Sequence, residues 1–203
     1  MAIAFDASSS STSTSWSHTC GSSATILIVF VYTFGAVATT ATYNGVSMTA
    51  GPASGNVASF YIFNPATGSN TVSTNGGATR DAVAVSYSGT DTSALDGSGT
   101  TADNGNSGAH TASITTSADN CWAVFGYGVD AATTLTAGTA TTKRVGSDTV
   151  RSIGAFDNGG PKTPAGSVTL EASIGAAGSA SRWLRYSIKP AAASSNSNFL
   201  ALL

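Results

Sequence analysis

The sequence predicts an all-β protein, an antiparallel β-sandwich of jelly-roll-like form with extended N- and C-terminal arms, and three observations carry that reading. Residues 24–34, ATILIVFVYTF, form the densest apolar run in the chain, and their β-branched and aromatic side chains suit a pleated, buried surface. A strand of that kind is covered on both faces, which calls for a second layer over each face or a barrel. Only 9% of the 203 residues are charged, with Glu171 the sole glutamate and Lys143, Lys162 and Lys189 the only lysines, so the residues that clothe surface helices are missing. Short apolar or alternating segments then recur between turn residues along the whole chain.

Taken in order, residues 1–14 join a short apolar start, Ile3 to Phe5, to a Ser/Thr run and read as an N-terminal arm. Trp16 and His18 alternate with Ser17 and Thr19, a period of two that predicts a strand over 15–20, turning through 21–23 into the central run. Asn44-Gly45 between ATY and VSMT predicts a tight hairpin, because both central positions of a type I′ turn need positive φ. Residues 57–63, VASFYIF, form a strand that Asn64-Pro65 and Thr67-Gly68 interrupt, and further strands follow at 70–73 and 82–87. Residues 89–110 set Asp91, Asp96, Asp103, Asn104 and Asn106 among Gly, Ser and Thr without periodicity, and read as a long loop at one end of the sandwich.

The sheet resumes at 112–116 and 121–127, where Trp122, Val124 and Tyr127 are core candidates. A Thr-rich stretch at 133–145 and the segment 150–156, with Arg151 between apolar neighbours, precede the loop marked by Gly159-Gly160-Pro161 and Pro164. In 168–174, Val168, Leu170 and Ala172 share one face. In 181–189, Trp183, Arg185 and Ser187 oppose Arg182, Leu184, Tyr186 and Ile188, and Pro190 stops the strand. The total is about eleven to fourteen short strands, in the range of a jelly roll or related sandwich. One sandwich over 15–190, followed by a tail over 191–203, is the expected organisation.

Thirty-one Ser, twenty-nine Thr and twenty-three Gly predict a surface made polar by hydroxyls, and a net charge of −2 offers no electrostatic footprint for nucleic acid. No apolar stretch reaches the roughly 18 residues of a membrane helix. The start, MAIAFDASSSSTSTS, has no basic region followed by a hydrophobic core, so no secretory signal is read there. The expectation is synthesis in a cytoplasm, with release by lysis as part of a particle.

Residues that carry chemistry are few. Cys20 and Cys121 are too few for a disulfide framework and lack partners for zinc. They are either two buried thiols or one bridge, which would close about 100 residues and stabilise by roughly 4 to 5 kcal/mol. His18 and His110 are the only histidines, and no serine sits in a G-x-S-x-G motif. His18, in a strand beside Trp16, reads as structural, and a lone loop histidine such as His110 is a weak signal. Glycosidase chemistry needs two carboxylates in one cleft, whereas Glu171 stands alone and the aspartates read as turn residues. A calcium site from Asp91, Asp96 and Asp103 fits no EF-hand spacing, and a solvated loop is preferred. Trp16, Trp122 and Trp183 could stack on sugars, but strand context favours the core. No catalytic residue, cofactor or metal is therefore assigned. The tail carries Phe199, Leu200, Leu202 and Leu203 beyond a polar spacer. Burying each is worth roughly 1.5 to 3 kcal/mol, so they are the candidate partner-binding residues. Docking on the protein's own sandwich and insertion into a neighbouring subunit stay equal alternatives.

The order WSHTCGSSATILIVFV, TYNGVSMT, FYIFNPATGSNTV, AVAVSYSGTD and a closing WLRYSIKPA resembles a family of β-sandwich structural proteins of tailed bacteriophages and environmental bacterial sequences. In that family a strand ending in an SHT-like motif precedes a Leu/Val-rich strand, a YNG or YGG hairpin follows, and an NPATG turn joins two later strands. The resemblance is specific from 15 to about 91 and holds in outline beyond; Cys20 at the end of the first of these strands departs from the pattern. It supplies no catalytic residue. It implies a virion or surface component. The expectation drawn from it and from the tail is a virion protein made in the host cytoplasm, foremost a capsid decoration or cement protein that contacts the major capsid protein; the need of the chain ends for a partner suggests a homo-oligomer, with a trimer one arrangement. A tail or fibre subunit is the alternative within the virion, and a secreted glycan-binding or adhesive module the alternative outside it.

Overall fold

The computed structural model describes residues 1–77, 80–103, 105–176, 178 and 180–192. Among them are seventeen strands, all paired antiparallel, and no helix. The apolar run becomes β3 (Ala24–Thr33) at the centre of a five-stranded sheet, flanked by β9 (Arg80–Ser88) and β1 (Ala4–Ser11) on one side and β7 (Val57–Phe63) and β6 (Thr49–Ser54) on the other. A second sheet, β2 (Ser15–Cys20), β8 (Gly68–Thr74), β4 (Ala41–Tyr43) and β5 (Val46–Ser47), covers one of its faces. Asn44 (φ 51°) and Gly45 (φ 74°) form the expected hairpin turn between β4 and β5.

The other face of that sheet meets a second five-stranded sheet: β10 (Gly97–Asp103), β17 (Ser181–Ile188), β12 (Trp122–Val129), β15 (Ser152–Asp157) and β14 (Thr142–Ser147). A last sheet of β11 (Gly108–Thr115), β16 (Ser167–Ile174) and β13 (Leu135–Ala137) lies on the far side of it. Four sheets are thus stacked, with three apolar seams between them. The reason is visible in β3 and β12. In β3, Leu27, Val29 and Val31 fill the first seam while Ile26, Ile28, Phe30 and Tyr32 fill the second. In β12, Trp122 and Val124 join the second seam while Ala123, Phe125, Tyr127 and Val129 fill the third. A strand apolar on both faces needs two covers, and each inner sheet is built around one.

The single sandwich expected over 15–190 is therefore two sandwiches, built from residues 4–88 and 97–188, stacked inner sheet to inner sheet. Each has jelly-roll wiring. In the first, β5 and β6 are one strand that bends at Met48 from the outer sheet to the inner one. Counted so, the first, eighth, third and sixth strands neighbour one another in the inner sheet, and the second, seventh, fourth and fifth in the outer.

Two stretches without apolar periodicity also form strands. Residues 1–14, expected as an arm, contain β1, which runs along β9 from Ala4↔Ser88 to Ser11↔Ala82 with a bulge at Asp6. Residues 89–110, expected as a loop, contain β10, paired with β17 over its whole length. Both are edge strands, held by backbone pairing on one side, so a Ser- or Gly-rich sequence suffices.

Candidate functional site

Phe199, Leu200, Leu202 and Leu203 lie outside the described residues. Cys20 and Cys121 are free, buried thiols, so the bridge is not formed. Cys20 packs in the first seam and Cys121 bridges backbone to backbone with Lys162 at the entrance to β12. Burial pushes both thiols up from their ordinary pKa, which keeps them protonated and unreactive at neutral pH.

His18 is 1% exposed and sits in a chain of hydrogen bonds that joins three strands. Ser86 Oγ donates to Asp6 Oδ2 at 2.6 Å and lies 3.2 Å from His18 Nε2; His18 Nδ1 lies 2.9 Å from Ser9 Oγ, which accepts the Trp16 indole N–H at 3.1 Å. Because the single Ser86 proton goes to Asp6, Nε2 carries the imidazole hydrogen and Nδ1 accepts from Ser9, an assignment made from the network. Burial lowers the His18 pKa to about 4, with Asp6 pulling the other way, so the ring is neutral at pH 7. A hydroxyl beside a neutral histidine is the start of a nucleophile. Here the groups are satisfied by one another, and what they do is tie β1 and β9 to β2.

His110 is clamped between the Asp103 carboxylate (Nδ1 to Oδ2, 2.6 Å) and the Asn106 carbonyl (Nε2 to O, 2.7 Å), which ties the end of β10 to β11. Asp91 accepts the Ser93 amide at 2.7 Å and hydroxyl at 2.6 Å and pairs with Lys189 at 3.3 Å. The Ser93 bonds bring its pKa down to about 2. Asp96 accepts the Ser117 amide at 3.0 Å, the Ser117 hydroxyl and the Ser187 hydroxyl at 2.6 Å. Burial raises its pKa, but these bonds outweigh burial and the net shift is downward. The three aspartates weighed for calcium thus serve three separate turns, and no group of three or more His, Cys, Asp or Glu placed to hold a metal occurs among the described residues. Trp122 belongs to the second seam, Trp183 stacks on Tyr127 in the third at 3.9 Å, and Trp16 packs at the margin of the first.

The polar groups that organise the molecule are ones the sequence pattern hid. Asp81, fully buried in β9, accepts the Ser147 hydroxyl and the amides of Thr149, Val150 and Arg151 at 2.5 to 3.1 Å, so one carboxylate of the first sandwich holds a whole turn of the second. Asp157, fully buried in β15, receives Arg144 through Nε at 2.6 Å and Nη2 at 3.0 Å and the Tyr87 hydroxyl at 2.8 Å. The Arg144 guanidinium lies over the Phe5 ring, 4.5 Å from its centroid. Tyr186 OH lies 2.7 Å from Ser59 Oγ, which donates to the Pro52 carbonyl at 2.6 Å. Arg80, 1% exposed, gives its guanidinium to the Thr74 hydroxyl and the carbonyls of residues 74–77, fixing the chain where it leaves β8. Asp157 stands before Asn158-Gly159 and so reads as a turn residue. The one signal for Arg80 and Asp81 is a charged pair opening an apolar strand in a charge-poor chain.

Outward, the two outer sheets show rows of hydroxyls. On β2 and β8 the outward pairs are Ser15↔Ser73, with Ser73 half-buried, Ser17↔Thr71 and Thr19↔Ser69; on β11 and β16 they are Ser113↔Thr169 and Thr115↔Ser167, beside Thr111↔Glu171. Ser15 bonds Ser73, and Ser113 bonds Thr169, each at 2.7 Å. An open groove of about 530 Å3 lies beside the paired chain segments at one end of the stack, lined by Met1, Ile3, Pro161, Pro190 and their neighbours. Comparison with known proteins finds no matching family model, no matching curated protein and no matching solved structure.

Proposed function

We propose that this protein is a non-enzymatic structural component of a phage virion, most readily a capsid decoration or cement protein that acts by shape and surface contact. The observation that carries this reading is the distribution of its chemistry. The buried carboxylates of Asp81 and Asp157 and the buried ring of His18 each bind sheets to one another, while the outer sheets present Ser/Thr rows interrupted on β2, β8, β11 and β16 by one charged side chain, Glu171. Such a body supplies rigid faces, and jelly-roll sandwiches serve widely as capsid modules. On this reading the protein assembles as a homo-oligomer, a trimer being one arrangement, and docks on the major capsid protein.

The test is antibody-labelled electron microscopy of native particles, paired with the mass of the purified protein in solution. Label over the shell and a mass of several subunits are expected. Label confined to tails or fibres moves the docking site within the same class, and absence from every particle overturns the proposal.

A further inference from the structure

The two sandwiches repeat one wiring diagram. With β5 and β6 taken as one bent strand, the first inner sheet runs first, eighth, third, sixth, fifth, and β10-β17-β12-β15-β14 runs in the same order of its own eight strands. In both outer sheets the second, seventh and fourth strands are neighbours. Finer details repeat as well. The fifth strand slips register against the sixth in each half, between Ala50 and Ala53 and between Lys143 and Val145. Ile26 of one third strand faces Tyr87 and Phe63, and Val124 of the other faces Tyr186 and Asp157. The seventh strand is entered through Pro65-Ala66-Thr67-Gly68-Ser69 in one half and Pro164-Ala165-Gly166-Ser167 in the other.

The halves also meet through equivalent surfaces. β1 lies against β14 as β10 lies against β6, β9 crosses β14 and β15 as β17 crosses β6 and β7, and the two third strands touch each other. Each eighth-strand tyrosine reaches the bulged fifth strand of the opposite half: Tyr87 through Asp157 to Arg144, and Tyr186 through Ser59 to Pro52. Thr90 and Pro190, which follow the two eighth strands, pair with one another. Contacts in which surface i meets j and j meets i are the mark of a two-fold interface between identical subunits.

We infer that the chain is an internally duplicated unit, a dimer of one eight-stranded sandwich made covalent, and that its inner sheet is a docking surface whose partner is a second copy of the same sandwich. Sequence order of the halves is then immaterial to the fold, and either half fits a copy of itself. The inference is independent of the virion reading.

Three chains test it: one running 92–203 and then 1–91, one carrying the first half twice, and one carrying the second half twice. The first retains every residue, and residues 192–203 become the connection between segments already in contact, the Met1 amino group lying 3.3 Å from the Ala191 carbonyl. Small-angle scattering and denaturant unfolding are the readouts. The permuted chain and at least one repeated chain are expected to match the natural radius of gyration and to unfold in one cooperative step. A permuted chain that does not compact overturns the inference. So does a compact permuted chain beside two repeated chains that stay expanded or aggregate, since the interface would then accept only the unlike half.

Discussion

Tyr87 and Tyr186 occupy the same place in the two sandwiches and send their hydroxyls in opposite directions across the plane between them, one to Asp157 at 2.8 Å and the other to Ser59 at 2.7 Å. Burial pushes both phenols well above their ordinary pKa, so each stays a neutral donor. The two contacts differ in what stands behind them. Asp157 is a buried carboxylate already paired with Arg144, whereas Ser59 is neutral.

Asp157→Ala is therefore expected to cost about 3 to 5 kcal/mol, because it strands a largely buried guanidinium and a buried phenol. Tyr87→Phe and Tyr186→Phe should each cost about 1 kcal/mol, the scale of one lost hydrogen bond. Urea midpoints at constant m-value measure all three, and an Asp157→Ala loss no larger than that of Tyr186→Phe contradicts the assignment.

Asp81→Ala removes the acceptor for three amides and a hydroxyl at once. A loss of about 3 kcal/mol is expected, with amide exchange in 147–151 accelerated more than exchange in β9. Uniform acceleration across the molecule would show that the carboxylate does not act on that turn.

The His18 pKa falls from 6.5 to about 4 in the folded state. Between those values the unfolded chain binds the proton more tightly, so stability is full above pH 6.5 and declines as pH falls toward 4. The contribution at stake is roughly 3 kcal/mol. His18→Gln should flatten the stability profile across that window, and an unchanged slope would show that other groups set it.

Gly126 lies where β12 faces β3, and a Cβ placed there would stand 2.2 Å from the Phe30 ring. Gly126→Ala is expected to cost about 1 to 3 kcal/mol by overpacking, and Phe30→Leu in the same chain should restore part of the loss. Independent, additive losses from the two substitutions would mean that they do not share this contact.

How much the amino-acid pattern reveals depends on which side chains decide each element. β3, the hairpin at Asn44-Gly45, β7, β16 and β17 are legible because apolar periodicity or turn chemistry specifies them locally. β1 and β10 are not, since their Ser, Gly and Thr side chains are compatible with strand or loop and the neighbouring backbone decides. The second sandwich is hidden for a related reason: CWAVFGY discloses a buried strand, but Gly126 and Gly128 mask the face that meets Phe30, Val57 and Tyr32. Cys20 and Cys121 illustrate a limit of composition, because two thiols beside strands can pair or not, and only their placement in separate surroundings shows that they do not.

The hydroxyl rows on β2, β8, β11 and β16 have a consequence for the medium in which this protein can work. Glu171 is the only carboxylate along those strands, and they carry no lysine or arginine. Mobile ions weaken attachments built from opposite charges on a scale of about 10 Å at 0.1 M, yet they have little to screen here. Adhesion through these faces would hold in brine as firmly as in dilute buffer.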